Sequence, residues 1–299
     1  MTKKRRRDSR RELHSELRDE ETLDPMPAAR YYAAGDIRLE VIAKGRTGES
    51  HPVPLLFVHG ALHAAWCWDE HFLDFFADKG YHALALSLRG HGRSPASKPL
   101  RTCSIADYVE DLCSVADNLN ATPVVIGHSM GGFIVQKYLE THDAPAGVLV
   151  ASVPPRGHLV AVLRLVRRHP WRSARSLISG KPSILFSNPE SVRENYFQAQ
   201  TPESIVAHTA ARLQEESPRA VGLDTTLSNL VKFQDVTTPL LVLGAEEDGT
   251  YSHADVRATA VAYHTEAEFF PNMGHDMMLE PGWAAVADRI HTWLTAREL

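Results

Sequence analysis

The sequence predicts an α/β fold: a mainly parallel central sheet flanked by helices, with a helical cap inserted before the last strands. Three observations predict it. Short, fully apolar runs alternate with segments whose apolar residues recur at helical spacing, the pattern of buried strands joined by crossover helices. Residues 123–139, PVVIGHSMGGFIVQKYL, read as strand, glycine-flanked tight turn and helix in immediate succession. Residues 157–229 contain helical stretches such as HLVAVLRLVRRH and ESIVAHTAARLQEE but no buried strand, which marks an insertion.

Taken in order, residues 1–30 are dense in charge and poor in apolar side chains, so a disordered tail is expected. It has no apolar core after its basic start, as a signal peptide would require. The alternating run DIRLEVIAK (36–44) reads as a half-buried antiparallel strand. VPLLFV (53–58) and YHALAL (81–86) read as buried strands, with one helix expected over 66–78 between them and stopped by Gly80. Ser104 is a natural N-cap for a helix reaching residue 119. After the 124–126 strand and its helix come a strand at 147–151 and the helical block. The sheet resumes at PLLVL (239–243), followed by a helix over 253–263, a strand at 266–270 and a final helix over 283–295. The expected organisation is a tail over 1–30, a core over 31–152 and 230–299, and a helical cap over 153–229.

Composition narrows the functional classes. The length of 299 residues suffices for a sizeable core, and 43% hydrophobic with 23% charged residues is ordinary for a globular chain. A net charge of −5 gives no general attraction to nucleic acid, and no apolar run is long enough to span a membrane. Cys67, Cys103 and Cys113 are too few and too irregular for a disulfide framework, and read as reduced thiols of a cytoplasmic protein. No histidine pair combines ligand spacing with Cys or Asp partners, so neither metal nor cofactor is expected. The serine turn lacks the G-x-G-x-x-G pattern of dinucleotide binding.

The serine turn carries the chemistry. Between Gly127 and Gly131 the chain must hold Ser129 in a cramped conformation at the tip of a strand, which lifts its hydroxyl clear of the sheet. A serine hydroxyl is a poor nucleophile until a base takes its proton and a carboxylate orients that base. His275 lies in a loop just after one expected strand, and Asp248 just beyond the carboxyl end of another. Loops leaving the carboxyl ends of parallel strands converge on one edge, which Ser129 shares. His128 adjoins Ser129 on the sharp turn and so points elsewhere, while His59, His63 and His91 are expected to brace loops, and Trp66 and Trp68 to pack in the core or line a pocket.

The segments VHGALHAAW, LRGHGRS, IGHSMGG, LLVLGAEED and NMGHDMMLE together resemble the α/β-hydrolase superfamily, in its capped esterase and lipase-like branch. The order Ser129, Asp248, His275 is the order of that family's triad. The likeness covers nearly everything from Asp36 onward except the cap. It implies Ser129 as nucleophile, His275 as base and Asp248 as its carboxylate partner. Adjacent Glu247 is an alternative, although the shorter side chain at the loop tip fits the family position better. Glu246 and Asp276 are expected to be solvated. The oxyanion donors implied are the backbone N–H groups of Met130 and Ala61, with Leu62 the alternative to Ala61.

The expected function is hydrolysis of a carboxylic ester, lactone or thioester of a small, largely apolar molecule through an acyl-enzyme. The alternatives are perhydrolysis, acyl transfer or carbon–carbon bond hydrolysis with the same triad, or a ligand receptor on a hydrolase fold. Epoxide hydrolases and haloalkane dehalogenases of similar fold place an aspartate where Ser129 stands. In the cap, Leu163, Leu177, Ile184, Leu185 and Phe186 are expected to line a pocket or to fasten the cap to the core. The arginines Arg164, Arg167, Arg168, Arg172 and Arg175 form a basic face, solvated or recruiting an anionic substrate.

Overall fold

A computed structural model describes residues 30–34, 37–48 and 51–299. The expected tail lies outside the described residues except for Arg30, which opens the first strand. Eight strands form one sheet: β1 (Arg30–Ala34), β2 (Ile37–Lys44), β3 (Leu55–Val58), β4 (Ala83–Leu86), β5 (Val124–His128), β6 (Gly147–Val150), β7 (Leu240–Ala245) and β8 (Ala267–Phe270). Their order is β1-β2-β4-β3-β5-β6-β7-β8. The β1–β2 and β2–β4 pairs are antiparallel and the rest parallel. Strand β1 has no counterpart in the sequence reading, since five residues without polar alternation carry little strand signal.

Alternate residues of the central strands feed two cores. Leu55, Phe57 and Ile126 enter one, with α1 (Trp66–Asp69), α2 (Phe72–Asp78) and the C-terminal α10 (Trp283–Thr295) over them. Leu56, Val58 and Val125 enter the other, under α3 (Ile105–Ala116) and α4 (Met130–Tyr138). This two-sided cover is why these strands read as unbroken apolar runs. Helix α3 starts in a capping box: the Ser104 hydroxyl accepts from Asp107 N–H, and the Asp107 carboxylate accepts from Ser104 N–H. The single helix expected over 66–78 is instead two. His71 leaves helical backbone geometry at φ −147° and stacks its ring on Trp283 at 4.7 Å, a tertiary contact that overrides local helical spacing.

Between β6 and β7 the chain is helical: α5 (Leu159–Arg168), α6 (Pro170–Ser179), α7 (Pro189–Tyr196), α8 (Glu203–Arg212) and a π-helical stretch at Arg219–Ser228. Helix α9 (His253–Ala262) then follows β7. The inserted segment packs on the carboxyl edge of the sheet. The Tyr196 carbonyl accepts from Asp276 N–H at 2.9 Å, and Leu62 O accepts from Gln214 N–H at 2.8 Å.

Candidate active site

Ser129 follows the last residue of β5 and caps α4 with φ 51° and ψ −117°. A residue with a Cβ is strained there, at roughly 1–3 kcal/mol, and the surroundings must hold it. They do so by closing on its neighbours. A Cβ on Gly127 would collide with the Gly131 carbonyl, and one on Gly131 with the carbonyls of Val58 and His59. Ser129 N–H donates to Val150 O at 3.0 Å, and its carbonyl accepts from Val153 N–H at 3.1 Å, tying the turn to β6.

Loops after β7 and β8 bring Asp248 and His275 together. His275 Nδ1 lies 2.8 Å from Asp248 Oδ2, and both side chains are almost completely buried. The other carboxylate oxygen accepts from Thr250 N–H at 2.7 Å and Tyr251 N–H at 2.9 Å, which fixes the plane of the group. Glu247 is exposed and is not the partner of His275. Glycine is required beside each residue because the inserted segment passes overhead. A Cβ on Gly274 would come 2.6 Å from Phe197 Cα, and one on Gly249 would press into the backbone of Glu194 and Asn195.

The loop after β3 meets the serine turn. A Cβ on Gly60 would lie 3.0 Å from Ser129 Cβ, so Ala61 follows the point of closest approach. Leu62 is otherwise engaged: its N–H points to Glu216 Oε2 at 3.4 Å. Met130 opens α4, where the first N–H groups have no acceptor within the helix and the dipole favours negative charge. The Tyr251 hydroxyl lies close enough to the Ser129 side chain to interact with it. That hydroxyl also meets His158 Nδ1 at 2.9 Å. Burial, and then the charge of Asp248, push the Tyr251 phenol well above its usual pKa, so it stays protonated.

Asp276, expected in solvent, is fully buried. His63 Nε2 donates to Asp276 Oδ2 at 3.0 Å, and His63 Nδ1 donates to Ala61 O at 2.9 Å. Two acceptors require two ring protons, hence an imidazolium. Burial alone would lower the His63 pKa, but the Asp276 carboxylate outweighs it and the value is raised. Burial would likewise raise Asp276, yet His63 holds it below the usual carboxylate range. This ion pair braces the loop bearing Ala61 against the loop bearing His275. His128 is neutral, lowered to about 3 chiefly by burial, and its Nε2 donates to His275 O at 3.0 Å. His59 is neutral too and accepts Leu88 N–H at 3.1 Å.

A second buried pair couples the inserted segment to the core. Glu216 accepts from the Tyr108 hydroxyl at 2.7 Å and lies 3.2 Å from His91 Nε2. The sequence reading expects His63 and His91 to brace loops but misses their partners Asp276 and Glu216, and Tyr251, because these contacts join residues far apart in the chain. A hint for Asp276 was available, since the apolar run Met277-Met278-Leu279 carries its loop into the core. Among the described residues, no group of three or more His, Cys, Asp or Glu side chains could hold a metal ion. A surface hollow of about 540 Å³ lies between residues 116–123 and 138–143, ahead of β5 and β6, on the sheet edge opposite Ser129.

Comparison with known proteins agrees with this architecture. A model of the "Alpha/beta hydrolase family" matches residues 55–289. The chain belongs to the alpha/beta hydrolase family. This hydrolase is 37% identical over 114 residues to the non-heme chloroperoxidase of Burkholderia pyrrocinia, covering 36% of this chain and 40% of that protein. It is 27% identical over 242 residues to the monoacylglycerol lipase of Mycolicibacterium smegmatis, covering 76% of this chain and 82% of that protein. The match thus spans only about two fifths of the first relative's length but most of the second's. An esterase from Exiguobacterium antarcticum superposes with TM-score 0.70 at 18% identity, over 89% of this hydrolase and 98% of the esterase, a likeness of fold.

Proposed function

We propose that this hydrolase cleaves a carboxylic ester, lactone or thioester of a small, largely apolar molecule, with Ser129 as nucleophile, His275 as base and Asp248 as the carboxylate that orients it. The observation that carries the proposal is the buried 2.8 Å contact of His275 Nδ1 with Asp248, on the sheet edge that also bears the strained Ser129. With its Nδ1 proton donated to Asp248, His275 presents an unprotonated Nε2 to the site. The Ser129 hydroxyl gives its hydrogen bond to that nitrogen. Its oxygen then bonds to the substrate carbonyl carbon as its proton passes to His275. The carbonyl π electrons move to oxygen, to which the N–H groups of Met130 and Ala61 donate hydrogen bonds, each worth roughly 3–4 kcal/mol in such sites. Collapse breaks the bond to the leaving group, which takes the proton from His275, and water repeats the sequence on the acyl-enzyme. Residues 153–229 act as the cap over this edge.

The test is Ser129→Ala with p-nitrophenyl esters of graded chain length, alongside labelling by a fluorophosphonate. Loss of both turnover and labelling is expected; an undiminished rate in the variant overturns the reading. Peroxide as the acyl acceptor is a second reading, favoured by the 37% identity to a chloroperoxidase. Peracid formed in competition with water would establish it.

A further inference from the structure

Helices α5 and α6 are amphipathic with the apolar side turned outward. In α5, Leu159, Val160, Leu163 and Val166 are exposed, and Ala161 is the one buried residue. In α6 no residue is buried, while Trp171, Leu177 and Ile178 are 83%, 84% and 87% exposed. At about 100° per residue, Leu159, Leu163 and Val166 fall on one stripe of α5, as do Trp171, Ala174, Leu177 and Ile178 on α6. A surface helix of a globular protein normally turns such a stripe to the core. Two consecutive helices that contact each other and both do the reverse expose apolar surface of the kind that marks an interaction site.

Charge identifies the partner. No Asp or Glu occurs from residue 144 to residue 189, although the whole chain carries net charge −5. The same stretch holds Arg164, Arg167, Arg168, Arg172, Arg175 and Lys181. Arg164 pairs with Asp255 at 2.7 Å, and Arg168 lies 3.5 Å from Glu194. Arg167, Arg172, Arg175 and Lys181 have no acidic partner among the described residues. A second copy of this chain meeting the face symmetrically would set arginines against arginines. A surface that is apolar inside and negative at its rim satisfies both features.

We propose that the α5–α6 face binds an anionic lipid bilayer, with Trp171, Leu177 and Ile178 entering the boundary between headgroups and acyl chains and the arginines meeting lipid phosphates. The binding is peripheral: no helix among the described residues is long and apolar enough to cross a membrane. It is independent of acyl transfer, and the measurement needs no substrate.

The experiment floats the full chain with vesicles of phosphatidylcholine and with vesicles that also contain phosphatidylglycerol, at low and high salt. Tryptophan emission is recorded in parallel, because Trp66, Trp68 and Trp293 are buried and Trp171 is not. Association with the phosphatidylglycerol vesicles and a blue-shifted emission are expected, both weakened by salt. Combined Trp171→Ser, Leu177→Ser and Ile178→Ser substitution should lower partitioning at least tenfold. Each of Arg167→Gln, Arg172→Gln and Arg175→Gln should lower it about fivefold on anionic vesicles only. Equal flotation of parent and variants, or none of the parent, overturns the proposal. So does a concentration-dependent dimer that the apolar substitutions abolish while the parent ignores vesicles.

Discussion

The edge carrying Ser129 and the α5–α6 face each reverse the usual partition of polar and apolar groups, in opposite senses. At the edge, His63, His128, His275, Asp276 and Glu216 are buried, and each meets a partner within the chain. On α6, Trp171, Leu177 and Ile178 are exposed, with none of the described residues over them. A buried polar group without a partner is costly, so the first reversal had to be balanced internally, by residues drawn from the loops after β3, β4, β7 and β8 and from the inserted segment. The second is not balanced by any described residue, and the proposed lipid surface would balance it. Substitutions at the edge should therefore disturb catalysis, folding or both, whereas those on α6 should disturb neither.

The largest contrast lies between two adjacent carboxylates. Asp248→Asn removes the acceptor that fixes the His275 tautomer, and ester turnover should fall about 10³- to 10⁴-fold with the protein still folded. Glu247→Gln, on an exposed side chain, should leave kcat within about twofold. Comparable losses in the two variants would remove Asp248 from its proposed role.

The sheet and the three proposed catalytic residues were legible because their signals are local: an apolar run buried on both faces, a glycine at each cramped position, a polar residue just past a strand. The bracing was legible on one side only: His63 and His91 read as loop braces, but their partners Asp276 and Glu216 do not. His63 and Asp276 stand 213 positions apart and Tyr108 and Glu216 108 apart, and neither pair leaves a trace in local periodicity. Polarity alone sent Asp276 to solvent. In the inserted segment the reading failed in the opposite direction. Leu163 and Leu177 were assigned to a pocket or to packing because apolar side chains are usually covered, yet both face outward, while Phe186 does pack, stacking on Tyr196 at 4.8 Å. Periodicity reveals that a helix has an apolar side but not what that side meets.

The next contrast is between pH regimes. Asp276→Asn leaves a buried His63 without its counter-charge, and loss of about 3–5 kcal/mol of stability is expected at pH 5–6. His63 is raised from 6.5, so its contribution is complete below that pH and lost as pH rises through the folded-state value. Asp276 is lowered from 3.8, so its contribution is present above that pH and lost as pH falls through its folded-state value. Chemical denaturation of parent and variant across the range should show their difference greatest between about pH 4 and 6.5 and narrowing on both sides. A difference independent of pH would mean that the pair is not ionised.

The smallest effect separates the two regions most directly. Leu112, fully buried in α3, should cost about 2–5 kcal/mol on Leu112→Ala, since transfer and cavity terms add. Leu177→Ser and Ile178→Ser remove side chains of similar size, but their surface is already in water. Stability should change by no more than about 0.5 kcal/mol, read from urea midpoints at unchanged slope. Destabilisation by a kilocalorie or more would show that α6 is covered in solution by some part of this chain or by a second copy. The outward-facing stripe would then be an internal contact, and no lipid surface would be needed to balance it.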